Sequence, residues 1–60
     1  MVTLICHRGS LTITSEHDKL EDALMGALDE IEGKTSVPHE ILEGETLVMD
    51  RAAILKAIGI

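Results

Sequence analysis

His7, His17, His39 and Cys6, with Asp18 and Asp50, are the cluster in this sequence that could suggest a metal ion. Zinc sites use paired ligands at short fixed spacing, such as C-x2-C or H-x3-H, and neither pairing occurs here. Cys6 and His7 are adjacent in VTLICH, a segment that reads as a strand, so their side chains leave it on opposite faces. They are badly placed to share one ion, and no metal or other cofactor is expected. A cysteine–histidine nucleophile fails on similar grounds. Cys6 alternates with Val2 and Leu4, the position of a small core side chain. A catalytic thiol needs an adjacent base and an accessible pocket, and no third, orienting residue stands at a recognisable spacing. Carboxylate neighbours such as Glu21/Asp22 and Asp29/Glu30 read as solvated charge on a helix, and the five glycines form no phosphate-binding loop. Catalysis is therefore not expected.

Composition narrows the classes further. Eleven acidic against five basic side chains give a net charge of −6, which repels a phosphate backbone. Phe, Tyr and Trp are absent, so the stacking platforms of single-strand binders are missing and the core must be aliphatic. Uninterrupted apolar runs stop at four residues (Ala52–Leu55), against the ~20 that span a bilayer. Met1–Arg8 lacks the basic and apolar regions of a signal peptide, so the expected location is the cytoplasm. A single cysteine rules out a disulfide within the sequence.

The elements that position these side chains are organised around Glu16–Gly33. Leu20, Ala23, Leu24, Ala27, Leu28 and Ile31 recur at helical spacing and span an arc of roughly 140°. Ser15 is the expected N-cap, with Asp18 a competing start, and Gly33 the stop. Gly26 inside this helix is read either as close approach of another backbone or as a tolerated cost of up to about 1 kcal/mol relative to Ala. Before it, Val2–His7 and Ser10–Thr14 form a hairpin about an Arg8-Gly9 turn; after a Lys34–Pro38 loop, Glu40–Leu42 and Glu45–Met49 form another about Glu43-Gly44. Asp50 then caps a closing helix, Arg51–Ile58, with Gly59 at C′ and Ile60 folding back on Leu55. The expected fold is a single small α+β domain over residues 1–60, two-layered, in ββαββα order, with the central amphipathic helix packed on an antiparallel sheet.

Size and the closing helix suggest self-association. Folding buries about 5,500 Å², of which about 3,400 Å² is apolar and worth roughly 85 kcal/mol, while ordering sixty residues costs roughly 90 kcal/mol. Ala52, Ala53, Ile54, Leu55, Ala57 and Ile58 wrap most of the last helix, which predicts burial nearly all round. Ile54, Leu55 and Ile58 are thus the expected self-association residues of a homodimer. The functional expectation is a non-enzymatic interaction or regulatory protein, of the bacterial or phage accessory type, with Glu21, Asp22, Asp29 and Glu30 either serving solubility alone or facing a basic protein partner. Two alternatives remain: an acidic inhibitor that mimics nucleic acid to block a basic partner, and a metal- or small-ligand-binding module using His7, His17 or His39.

Overall fold

The computed structural model describes residues 1–34 and 36–59. Strands β1 (Val2–Arg8) and β2 (Leu11–His17) form a hairpin that leads into helix α1 (Leu20–Asp29). One π-helical turn, Glu30–Lys34, links it to a second hairpin, β3 (Val37–Glu43) and β4 (Thr46–Asp50), closed by helix α2 (Arg51–Ala57). The ββαββα order and the two-layer α+β architecture are those the sequence predicts. The sheet is antiparallel throughout, in the order β2-β1-β3-β4. The two hairpin–helix units therefore meet through their first strands, with Leu4 opposite Ile41 and Ile5 opposite Glu40.

Both turns are two-residue loops with glycine first, Gly9-Ser10 and Gly44-Glu45, one position later than the sequence suggests. Gly9 and Gly44 have φ of 62° and 64°, a conformation that other residues rarely adopt. Ser15 is not the N-cap of α1. It belongs to β2, where Ser15 and His17 pair with Leu4 and Val2; ladder bonds prevail over capping, and its hydroxyl hydrogen-bonds His17 Nε2 at 2.9 Å. Asp18 does not cap either, because Lys19 occupies that position without a side-chain bond. The helix also ends earlier, at Asp29. The π turn is held by Ser36, whose N–H donates to the Glu30 carbonyl (3.2 Å) and whose Oγ donates to Glu30 Oε2 (3.1 Å).

The core lies between the sheet and the helices: Val2, Leu4, Cys6, Ala23, Ala27, Ile41 and Ile54 are buried, with Ile13, Leu24, Met49 and Ile58 packed against them. Ala23 and Ala27 let α1 lie close to the sheet, and Gly26 continues that contact. A Cβ at Gly26 would sit 3.1 Å from His17 Cε1 and 3.4 Å from Leu4 Cδ2, so what approaches is side chain rather than the expected backbone. Pro38 lies in an inner strand beside a bulge and past the last β3–β4 pair, a setting that tolerates proline.

Helix α2 departs from the expectation of all-round burial. Asp50 caps it as predicted, Oδ1 accepting from Ala53 N–H at 2.9 Å, and Gly59 follows with φ 83°. Ile54, however, is 0% exposed within its own chain, so it is a core residue and not a self-association contact. Leu55 and Ile58 are half-buried, while the outer side carries Ala52, Lys56 and Ala57. The helix looks greasier in sequence than in space because alanines, cheap to expose, make up its solvent side. The expected fold-back of Ile60 lies outside the described residues. With 3911 Å² exposed, the chain has the surface of a folded monomer of its mass, which the scaling puts at about 3,800 Å².

Candidate functional site

Both helices lie on the face of Val2, Leu4 and Cys6, so the opposite face of the sheet has no layer over it among the described residues. Strand alternation and register assign its side chains. From β2 and β1 come Thr12, Thr14, Glu16, Thr3, Ile5 and His7. From β3 and β4 come Val37, Glu40, Leu42, Leu47 and Asp50. Two register shifts add to them: His39 is the extra residue between Pro38 and Glu40, and Val48 that between Leu47 and Met49.

Three features set the chemistry of this face. Ile5 and Leu42 are half-buried by neighbours, while Val37, Val48 and Leu47 are exposed, the last at 53%. The His7 and His39 rings stack, centroids 4.5 Å apart and planes 16° from parallel, and cover the face beside Val37. Glu16, Glu40 and Asp50 supply carboxylates, whereas the four strands contain no lysine, and their single arginine, Arg8, has the parity of the helix-covered side. Thr3 Oγ1 donates to Glu16 Oε2 at 2.7 Å and fixes that carboxylate.

At the β4–α2 corner the face deepens into a cleft of about 330 Å³, lined by His39, Glu40, Asp50, Arg51 and Ala52. Glu40 and Asp50 are cross-strand partners, and one Asp50 oxygen is engaged by the cap of α2. The cleft is open to water, so its charges act in a high dielectric. It suits reception of a donor or cation better than stabilisation of a transition state.

The other sequence-singled residues fall apart in space. Among the described residues no group of three His, Cys, Asp or Glu side chains could hold a metal ion. His17 is under α1 and His7 is on the opposite face, with Cys6 buried between sheet and helices. Burial pushes the Cys6 thiol above its ordinary value and the Glu30 carboxylate pushes the same way, offset in part by a hydrogen bond with Ser36. That thiol is a core group and a poor nucleophile. Glu21, Asp22 and Asp29 are exposed on α1 around Met25, itself 61% exposed, whereas Glu30 is half-buried and tied to Ser36. Among the described residues no helix is long and apolar enough to cross a membrane. The open face escaped sequence reading because its residues are scattered over four short strands; the β-bulge at His39 and the Ile5–Glu40 pairing are set by register alone. No family model, no curated protein and no solved structure matches this chain.

Proposed function

We propose that this chain is a small non-enzymatic interaction protein that works as a homodimer and offers the open sheet face to a basic protein partner. The observation that carries this reading is the composition of that face: aliphatic side chains interleaved with Glu16, Glu40 and Asp50 and without a lysine. Apolar area supplies affinity, and carboxylates that outnumber the cation at the cleft, Arg51, select partners of positive charge and speed their encounter. Size supports the homodimer. The widest outline of one copy is 25 × 24 Å. One flat face therefore has an outline of about 600 Å², and a second copy beside it doubles the surface open to a partner, whose standard interface takes ~800 Å² per side. Two copies side by side exceed that figure.

The test is a methyl- and amide-resolved NMR titration with a synthetic peptide of alternating lysine and valine. Shifts should concentrate on Ile5, Leu42 and Leu47, weaken with added salt, and vanish in Leu47→Lys. Shifts confined to Glu21, Asp22 and Asp29 on α1, or none at millimolar peptide, would overturn the reading.

A further inference from the structure

The two outer strands are not equivalent. β4 is five residues long, is interrupted by the bulge at Val48 and is bracketed by Glu45 and Asp50, features that discourage pairing with another chain. β2 spans seven residues, LTITSEH, in unbroken register with β1, without proline, lysine or bulge. Its exposed edge is a template for another strand.

We infer that two copies of this chain pair antiparallel through β2, making one continuous eight-stranded sheet. The inference rests on the homodimeric reading above and says which surface forms the dimer. The register follows from the hairpin. Arg8 and Leu11 close a two-residue loop and are a hydrogen-bonded pair. Alternation from there directs the N–H and C=O of Leu11, Ile13, Ser15 and His17 toward β1, and those of Thr12, Thr14 and Glu16 outward. An antiparallel partner can use all three outward residues only if Thr14 faces Thr14 of the second copy and Thr12 faces Glu16. That same register pairs the whole strand, keeps Glu16 away from its own copy, and sets Leu11 beside His17 of the second chain. Leu11, 57% exposed in one copy, then gains cover. Sliding by one two-residue step in either direction shortens the pairing, and two steps toward the C-terminus oppose Glu16 to Glu16. A two-fold axis through Thr14 also leaves all four helices on one side, so the two open faces join into one surface.

The test combines solution mass with residue-resolved amide exchange on the full chain. Wild type should run at twice 6.5 kDa, with the Thr12, Thr14 and Glu16 amides exchanging slowly and speeding up on dilution. Thr14→Lys sets like charges opposite each other at the two-fold and should raise the dissociation constant at least tenfold with unchanged far-UV circular dichroism. Thr14→Pro, tolerated where an edge N–H faces solvent, should do the same. A dimer whose Thr12, Thr14 and Glu16 amides exchange freely, or one indifferent to both substitutions, overturns the β2 assignment and leaves the homodimer standing. A monomeric mass overturns both.

Discussion

Replacing Ile54 by alanine tests whether the closing helix serves its own chain or a neighbour. Ile54 is fully buried between α2 and the sheet, in a core shared with Leu4 and Ile41. The substitution removes three carbons, worth about 2.4 kcal/mol at ~0.8 kcal/mol each. The cavity left behind adds to this, and measured core truncations of this kind cost about 2–5 kcal/mol. A domain of this length has about 3–9 kcal/mol of stability in total. The expected loss of about 3 kcal/mol therefore takes a third or more of it. At roughly 8 °C per kcal/mol for so small a domain, the midpoint should fall by about 24 °C. Urea unfolding followed by far-UV circular dichroism is the suitable assay, because the sequence has no Trp, Tyr or Phe to report by fluorescence. The loss should be the same at every protein concentration, and the folded variant should keep the wild-type mass. A loss below 1 kcal/mol, or a change in mass while the fold persists, would refute the assignment of Ile54 to the intramolecular core.

Other perturbations follow from the same contacts. Asp50→Ala removes the cap on Ala53 N–H and should cost about 1 kcal/mol in a urea titration, with Asp50→Asn nearly neutral. Gly26→Ala gains helix propensity but drives a Cβ to 3.1 Å from the His17 ring, which is held by Ser15; it should destabilise by about 1 kcal/mol, and a double-mutant cycle with His17→Ala should return that penalty. Because the folded Cys6 thiol binds its proton more tightly than the unfolded one, its contribution to stability is complete below the unfolded value of 9.0 and is lost as pH rises beyond it. Native protein should accordingly react slowly with a thiol reagent at pH 8 and quickly once unfolded in urea.

Local signals in the sequence account for the parts of this fold that local physics decides. The alternation of Val2, Leu4 and Cys6, the two hairpin glycines, the Asp50 cap and the Ala23–Ala27 stripe each have one strongly preferred conformation, and each takes it. The helix boundaries were less legible, since Ser15 can cap a helix or extend a strand, and the choice depends on its distant partner Leu4. Leu20 likewise reads as part of the buried stripe but is exposed, because α1 begins there beyond the reach of the sheet. Strand order was illegible: Leu4 meets Ile41 across more than half the chain, and nothing near either residue specifies it. The candidate face shares that fate. Ile5, Glu40 and Leu47 become neighbours only after β1, β3 and β4 are laid side by side.

The proposed surface exists in full only if two copies of this sheet associate. Sedimentation equilibrium over a dilution series reaching about 100 μM, a range that captures weak dimers, measures this directly. A reversible shift from 6.5 kDa toward twice that mass is expected as concentration rises. A constant 6.5 kDa across the series would contradict it.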